Sequence, residues 1–356
     1  MRVLTVNAGS SSLKLHVVSD GEVLATGDGS LDAGTDEIAS LADEVGGVDA
    51  VGHRFVHGGA EHVQPEGVTH ALVTALERLV PLAPLHQPAA LRGVEAAARA
   101  LPGVPAVACF DTAFHRDLPA EAATYAVPRG WRERFGLRRF GAHGLSFAYA
   151  SRRAAEMVPG ARRVVVAHVG SGASVCAVLD GRSVDTTMGL TPMEGVVMAT
   201  RSGSVDPGLL LWLIEHGGLS VREVHEGLDR DGGLTGLAGT GDHRELEQRL
   251  PDEQAALALD VQLRSVAAAV AAMTTSLRGL DVLVLTGGVA QRSSHFLHGL
   301  VERLPHLGVG LDRSVDDGVE PDVDVSAPWA RARTLVVEAR EELEIAAGTV
   351  AVVERS

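Results

Sequence analysis

The stretch VLTVNAGSSSLKLHVVSDG (residues 3–21) places a turn of Gly and Ser between two apolar segments and ends in Asp20-Gly21. Asp-Gly is a strong signal for a two-residue hairpin turn, so the pattern predicts consecutive antiparallel strands. Residues 164–181, VVVAHVGSGASVCAVLDG, repeat this pattern and end in Asp180-Gly181. Chance similarity of two hairpins is the alternative. We interpret the repeat as two related α/β domains, each starting with a three-stranded meander, with a cleft between them.

The segments after each meander alternate between helical and strand patterns. A helix is predicted from His86-Gln87-Pro88 onward, because proline is well tolerated in the first turn. Apolar periodicity predicts the other elements. These are a buried strand over 104–110 ending at Asp111, helices over 143–157 and 254–278, a strand over 281–285 and a final helix from Glu341 to about Val353; residues 312–332 are expected to be irregular.

Composition limits the function and the location. The net charge of −15 argues against nucleic acid or an anionic membrane as the main partner, because both require a basic surface. Two cysteines in 356 residues, Cys109 and Cys176, favour a reducing cytoplasm. The N-terminus lacks the pattern of a signal peptide, and no uninterrupted apolar run approaches the ~18 residues of a membrane span. We therefore expect a cytoplasmic protein without a membrane partner.

Lys14 is the single lysine among 31 Lys and Arg residues, and it follows the first Gly/Ser turn. Such turns expose backbone N–H groups that bind anions, and an ammonium group beside them suits phosphate. A solvated lysine at a hairpin tip is the alternative interpretation.

Ten segments, in order along nearly the whole chain, resemble those of the acetate kinase family of short-chain acyl kinases. They are NAGSSSLK (7–14), GHRFVHGG (52–59), APLHQP (83–88), FDTAFH (110–115), RRFGAHG (138–144), HVGSG (168–172), DTTMGLTPMEG (185–195), TRSGSVDP (200–207), DHR (242–244) and REEL (340–343). The resemblance implies two RNase H-like domains of the actin-like ATPase type. It implies an N-terminal acceptor and phosphate domain over 1–147, completed by the C-terminal helix 340–356, and a nucleotide-binding domain over 148–339.

The same resemblance implies an enzyme that uses ATP and Mg²⁺, with Mn²⁺ as a substitute, to phosphorylate a small carboxylate reversibly. Asp111, His143 and Arg201 would be catalytic, with Arg201 stabilising the transferring phosphoryl group and Asp111 acting as a base or orienting a metal-bound water. Arginine suits both anions because its fork donates two hydrogen bonds and stays charged. Arg54 and His86 would bind the carboxylate, and Val56, Leu85 and Pro192 would wall its acyl chain. Arg138 and Arg139 are expected to be structural.

Nucleotide and metal positions also follow from the resemblance. Asn7 and Glu341 would hold the metal, although Glu341 could instead complement a helix dipole. A homodimer is expected. The positions matching the nucleotide site are Ser12, Lys14, His168, Gly170, Ser171, Gly172, Asp242, His243, Arg244, Gly288, Val289, Ala290, Gln291 and Arg292.

The chain departs from the family pattern at three places. Ala142 replaces the usual Phe before His143, which predicts room for an acyl group larger than acetyl unless Phe140 or Phe147 refills the space. Ala290-Gln291-Arg292 replaces Gly-Glu-Asn, which leaves the phosphate donor open, and Phe147 replaces a His. The alternatives are a kinase for another acceptor or donor, a nucleotide-binding ATPase that is not a kinase, and an inactive paralogue.

Overall fold

The computed structural model describes residues 1–9, 12–30, 34–312, 314–315 and 320–355. Ser10 and Ser11 of the first Gly/Ser turn lie outside the described residues. So do residues 313 and 316–319 of the segment that was expected to be irregular.

Within the described part of the chain, the first half forms a six-stranded sheet. Its strands are β1 (Val3–Ala8), β2 (Ser12–Ser19), β3 (Glu22–Ser30), β4 (Ala50–Phe55), β5 (Glu66–Gly67) and β6 (Ala106–Phe110). They lie in the order β3-β2-β1-β4-β6-β5. β1, β2 and β3 pair as an antiparallel meander, β4 and β6 continue in parallel with β1, and β5 closes the edge antiparallel to β6.

The described residues of the second half build a sheet with the same topology. Its strands are β7 (Arg163–Val169), β8 (Ala173–Leu179), β9 (Arg182–Thr186), β10 (Val282–Thr286), β11 (Val323–Asp324) and β12 (Arg333–Val336). From its meander edge the order is β9-β8-β7-β10-β12-β11. β7, β10 and β12 are parallel, and β11 is the short antiparallel edge strand. The internal repeat therefore extends from one hairpin to a whole sheet.

Helices cover the faces of both sheets. They are α1 (Gly34–Glu44), α2 (His70–Glu77), α3 (Gln87–Ala100), α4 (Ala120–Ala123), α5 (Arg129–Phe135), α6 (Gly144–Met157), α7 (Pro207–Glu215), α8 (Val221–Asp229), α9 (Gly233–Ala238), α10 (His243–Gln248), α11 (Glu253–Leu277), α12 (Gly288–Arg292), α13 (Ser294–Val301) and α14 (Glu341–Val353). Short 3₁₀ turns occupy Val80–Leu82, Asp111–His115 and Pro305–Leu307. The helices and strands predicted from periodicity are present within a few residues of their expected ends.

Both Asp-Gly pairs form the turns that their sequence predicts. Asp20 and Asp180 have φ values of 53° and 50°, and Gly21 and Gly181 follow at 82° and 77°. Two consecutive residues with positive φ define the hairpin turn whose twist matches that of the flanking strands. The repeat is thus built from local backbone preference as well as from apolar patterning.

The last helix, α14, returns to the first sheet. Ile345 is fully buried against Val107 and Cys109 of β6. A Cβ atom at Gly52 of β4 would lie 2.3 Å from the hydroxyl of Thr349, so a side chain there would push α14 away from the sheet. We therefore continue to assign α14 to the first domain.

Helix α6 bears on the proposed division of the chain at residues 147 and 148. That boundary falls inside α6. Phe147, Ala150 and Ala154 pack with Val164 and Val178 of the second sheet. Leu145 at the start of α6 packs instead with Ile345 of α14, so the helix contacts both domains. Because its buried apolar side chains face the second sheet, we propose a boundary just before it.

Helix α11 is long and apolar enough to span a membrane by length and composition alone. Its side chains Leu263, Val266 and Val270 belong to the main core of the second domain, where they pack with Val175 of β8. Such burial is typical of the core helix of a globular domain.

Candidate functional site

The carboxyl ends of the parallel strands from both sheets face one cavity of about 550 Å³. Ligands of open α/β sheets bind at this edge, because the loops there can diverge around them. The first sheet supplies Asn7, Arg54 and Asp111 from β1, β4 and the turn after β6. The second sheet supplies the turns after β7, β10 and β12. Their lining residues are Gly170, Ser171, Gly172, Gly287, Gly288, Glu338 and Glu341.

Arg54 bridges two carboxylates in the floor of this cavity. Its Nη2 donates to Asp111 Oδ2 at 2.8 Å, and its Nη1 donates to Glu341 Oε2 at 2.8 Å. Its Nε also faces Asp111, and Nη1 makes a longer bond to Asn7 Oδ1 at 3.3 Å. A guanidinium has five N–H donors, and these contacts occupy four of them. Among the described residues, Arg54 thus retains one N–H on Nη2 for a ligand.

Asp111 is fully buried, which raises the pKa of its carboxyl above the ordinary value although Arg54 opposes the shift. It also accepts a hydrogen bond from the backbone N–H of His143. Gly144 permits this approach, because a Cβ atom there would lie 1.9 Å from the carbonyl oxygen of Asp111. Asp111 is therefore fixed by both Arg54 and the start of α6.

His143 precedes α6 in the left-handed conformation, with φ of 56°. Its Nδ1 lies 2.7 Å from the hydroxyl of Ser174, and its ring centroid lies 4.5 Å from that of His168. Burial lowers the pKa of His143 well below 6.5, and it lowers those of His86 and His168 to about 4. Neutral imidazoles therefore line the cavity. When Ser174 donates to Nδ1, the proton of His143 is on Nε2 and can be donated to a ligand oxygen.

Arg201 is the second guanidinium of the cavity and is 8% exposed. Its Nη1 donates to the carbonyl oxygen of Pro192 at 2.7 Å, and no carboxylate pairs with it among the described residues. Burial lowers its pKa, although the nearby charge of Asp229 opposes the shift. A Cβ atom at Gly172 would lie 2.8 Å from Arg201 Nη2 and 3.3 Å from His143 Nε2. Arg201 and His143 thus converge over Gly172, where a side chain would displace them.

Apolar residues from both domains also line the larger cavity. Val56, Ala142 and Pro192 line it together with Ala90 and His86. The Nδ1 atom of His86 is buried and has no partner in the described part of the chain. Leu85, expected in this wall, is half-buried and is not among the lining residues.

The two phenylalanines that could have refilled the space beside Ala142 lie elsewhere. Phe140 packs against the ring of His57 at 4.8 Å, and Phe147 is fully buried in the core beneath α6. Neither lines the cavity.

A second cavity of about 480 Å³ adjoins the first and shares Gly170, Ser171 and Gly288 with it. Most of the residues expected to bind nucleoside line this cavity, namely Asp242, His243, Arg244, Gly288, Val289 and Arg292. The wall is completed by residues that were not identified from the sequence, namely Leu234, Gly241, Glu247, Gln262 and Ser293.

Ala290 and Gln291 face away from the second cavity. Ala290 is buried in the domain core, and Gln291 donates to the carbonyl oxygen of Val337 at 3.1 Å. Successive residues of a helix point in different directions, and Arg292 alone of the Ala290-Gln291-Arg292 segment reaches the cavity.

Ser12, Lys14 and His168 line the larger cavity. Lys14 is exposed on β2, and His168 is held by a 2.8 Å contact between its Nδ1 and the Ser146 hydroxyl. These three residues therefore line the larger cavity and not the smaller one.

The described residues contain no cluster of three or more His, Cys, Asp or Glu side chains able to hold a metal by themselves. Asn7 Nδ2 donates to Glu341 Oε2 at 3.0 Å, and both side chains line the larger cavity. Mg²⁺ takes only one or two protein oxygens when phosphates and waters complete its shell. The Asn7 and Glu341 pair fits a metal that arrives with a nucleotide.

The segment between Thr187 and Gly195 is held by residues that the sequence did not identify. Tyr125, Arg139 and Glu194 form hydrogen bonds around Gly189 and Leu190, close to Pro192. Arg139 was expected to be structural, and Tyr125 and Glu194 were not selected. Nothing in their spacing indicates that they meet, because Tyr125 lies 69 residues before Glu194.

Comparison with known proteins identifies relatives over the whole chain. The model of the acetokinase family matches residues 28–347. The acetate kinase of Deinococcus radiodurans is 41% identical, with 99% of this chain and 98% of that protein covered. The acetate kinase structure from Porphyromonas gingivalis superposes with a TM-score of 0.89 at 33% identity, and a propionate kinase from Francisella tularensis with 0.90 at 30%, each covering 99% of both chains. These matches confirm the predicted family and fold class.

The Arg54 bridge generates the first prediction. Arg54→Met would leave Asp111 and Glu341 buried without a cation, so we expect a loss of about 3–5 kcal/mol in the free energy of unfolding. Urea titration measures it. A buried carboxyl without a cation has a higher pKa in the folded protein than in the unfolded chain. It therefore lowers the free energy of unfolding increasingly as the pH rises above its pKa in the unfolded chain. The loss should therefore be larger at pH 7.5 than at pH 5.

A second variant combines Arg54→Met with Asp111→Asn. It removes one of the two unpaired carboxylates, so it should recover part of the lost free energy of unfolding. Equal stability of Arg54→Met and the unmodified protein at both pH values would contradict the bridge.

Proposed function

The chain belongs to the acetokinase family, and we propose that it transfers the terminal phosphoryl group of ATP reversibly to a short-chain carboxylate, giving an acyl phosphate. The observation that carries this proposal is the convergence of Arg201 and His143 over Gly172 in the larger cavity, next to the Gly170 and Ser171 turn that both cavities share. A nucleoside in the smaller cavity would extend its phosphates over the shared turns toward that point. The acceptor would approach from the apolar side of the larger cavity.

In the proposed reaction, a carboxylate oxygen of the acceptor attacks the terminal phosphorus and the bond to the ADP oxygen breaks. The attacking carboxylate is already ionised, so no proton has to be removed from it. Catalysis then depends on alignment and on stabilising charge at the equatorial oxygens. Arg201 suits this role, because Pro192 accepts only one of its five N–H groups and no carboxylate forms an ion pair with it among the described residues. His143 Nε2 would donate a hydrogen bond to the same phosphoryl group.

Arg54 has a different role from Arg201 in this proposal. Its one remaining N–H can contact the acceptor carboxylate, while its other donors hold Asp111 and Glu341. Asp111 orients Arg54 and the start of α6 at the reacting point. Asn7 and Glu341 would hold Mg²⁺, which neutralises phosphate charge when it is bound.

The reaction itself is tested by trapping acyl phosphate with hydroxylamine in the presence of MgATP and a panel of carboxylates. We expect product with the unmodified protein. Arg201→Ala should lower kcat by a factor of about 10² to 10³, by analogy with removal of one oxyanion donor. Arg138→Ala, which removes a half-buried arginine outside the cavity, is the control and should stay active. ATP hydrolysis independent of any carboxylate would favour a nucleotide-binding ATPase instead.

We also propose that the acceptor is larger than acetate. Ala142 lines the cavity and neither Phe140 nor Phe147 fills the space beside it, which supports room for propionyl or butyryl chains. The neighbouring wall of Val56, Ala90 and Pro192 is apolar and suits added methylene groups.

The acyl preference is tested by kcat/KM for acetate, propionate, butyrate and isobutyrate. Each buried methylene contributes about 0.8 kcal/mol, so we expect roughly a fourfold gain per step until the space is full. Ala142→Phe should shift the preference back toward acetate. A clear preference of the unmodified protein for acetate would contradict the proposed larger acceptor.

A homodimer is the third part of the proposal. Helix α7 is apolar over most of its length, yet none of its residues is buried within one chain. Leu209, Leu211 and Trp212 are 46–58% exposed, and Val221 at the start of the next helix is 71% exposed. Contiguous apolar surface of this kind marks an interaction site, and we assign it to a second copy of the chain.

Trp212→Glu should convert the dimer to a monomer, because it places a charge in the apolar interface. Sedimentation should give twice the 37.1 kDa chain mass for the unmodified protein and 37.1 kDa for the variant. Trp131→Glu is the matched control, since Trp131 is equally exposed on α5. Monomeric behaviour of the unmodified protein at micromolar concentration would exclude this interface.

A reducing cytoplasm remains the proposed location. Cys109 and Cys176 are free and fully buried in separate sheets, and burial raises the pKa of each thiol to about 12. Both therefore behave as packing residues that require no oxidising compartment.

A further inference from the structure

Arg201 depends on a single backbone carbonyl for its orientation within the described residues. That carbonyl belongs to Pro192, which also walls the acyl side of the cavity. Pro192 lies in the irregular segment 187–195, where no helix or strand ladder fixes the backbone. Whatever holds this segment in place therefore positions both the cation and the acyl wall.

The hydroxyl of Tyr125 clamps both ends of the short segment around Pro192. It accepts a hydrogen bond from the backbone N–H of Leu190 at 2.8 Å and donates to Glu194 Oε2 at 2.6 Å. Burial and the Glu194 charge raise the pKa of Tyr125, so the hydroxyl stays protonated and remains a donor. Pro192 lies midway between the two residues that one oxygen atom holds.

Arg139 completes the clamp from the same side. Its Nη2 donates to Glu194 Oε1 at 2.7 Å, and its Nη1 donates to the carbonyl oxygens of Thr187 and Met188. Gly189 is required beneath it, since a Cβ atom there would lie 1.9 Å from Glu194 and 2.0 Å from the Tyr125 hydroxyl. The backbone N–H groups of Phe140 and Gly141 also donate to the Gly189 carbonyl, so side-chain bonds fix residues 187, 188, 190 and 194 and backbone bonds fix residue 189.

The first domain holds the same segment through His57. The backbone N–H of Gly59 donates to His57 Nδ1 at 2.9 Å, so the ring carries its proton on Nε2 and donates it to the Leu190 carbonyl at 3.2 Å. His57 follows Val56, which lines the acyl side of the cavity. The clamped segment therefore connects the walls contributed by the two domains.

We propose that Tyr125, with Glu194 and Arg139, is a positioning residue that sets Arg201 for phosphoryl transfer and fixes the Pro192 wall for acyl selection. This inference rests on the proposed kinase reaction and adds residues that touch neither substrate. Loss of the clamp leaves the Arg201 side chain unchanged but lets the Pro192 carbonyl, which accepts its hydrogen bond, move. The expected defect is in turnover and in acyl selectivity, while the nucleotide cavity is unaffected.

The test is Tyr125→Phe, which keeps the ring and removes both hydrogen bonds. We expect kcat to fall roughly tenfold, because the two lost hydrogen bonds support the segment that positions Arg201. The KM for nucleotide should stay within about twofold, because these bonds do not support the nucleotide cavity. The ratio of kcat/KM between butyrate and acetate should move toward one as the wall loosens. Tyr149→Phe is the matched control, since Tyr149 is the only other tyrosine in the sequence and lines neither cavity.

A second variant separates positioning from folding. Glu194→Gln keeps an oxygen that accepts from Tyr125 and removes the ion pair with Arg139, so its kcat should lie between those of the unmodified protein and Tyr125→Phe. The thermal midpoint of each variant is measured alongside. Unchanged kcat and acyl ratio in Tyr125→Phe would overturn the proposal, as would equal rises in both KM values with a lowered thermal midpoint. An unmodified protein that makes no acyl phosphate would overturn the kinase proposal as well.

Discussion

The contact of Arg54 with two carboxylates is the interaction on which the site depends. Asp111 follows the third parallel strand of the first sheet, whereas Glu341 begins the helix that follows the last parallel strand of the second sheet. One guanidinium therefore connects the carboxyl-end edges of both sheets. Burying three ionised groups is expensive unless each is paired and hydrogen-bonded. Asn7 and the backbone of His143 supply the remaining bonds, so the same polar network that closes the fold also orients the cavity floor.

The two arginines of the cavity differ in how far other residues neutralise their charges. Arg54 is neutralised by its partners, while Arg201 is buried with one carbonyl oxygen as its hydrogen-bond acceptor among the described residues. A protein with a net charge of −15 repels anionic substrates at long range, so attraction has to arise locally. Arg201 can provide this local attraction, because its buried guanidinium forms no ion pair with a carboxylate among the described residues and is poorly solvated. The lowered pKa of Arg201 expresses the same cost, which a bound phosphoryl group would relieve.

The elements and the repeat could be predicted from the sequence because they follow from local rules. Asp20 and Asp180 adopt the positive φ that an Asp-Gly hairpin requires, and apolar alternation fixes which face of each strand is buried. Side-chain direction within short irregular segments could not be predicted in the same way. Ala290 and Gln291 match nucleotide positions by their order in the sequence. In the structure Ala290 faces the core and Gln291 faces Val337, because successive residues of a helix point in different directions.

Long-range hydrogen bonds set the other limit to sequence reasoning. Tyr125, Arg139 and Glu194 have ordinary neighbours in sequence, and only the path of the folded chain brings them together around Gly189. Under the proposed function, their arrangement would also let a mostly apolar wall select among acyl chains. Apolar walls distinguish one methylene from none by only ~1–3 kcal/mol, and they do so only while they are rigid. In the proposed reaction, acyl selection at Ala142 and Pro192 would therefore depend on the clamp behind Pro192 as much as on the wall residues themselves.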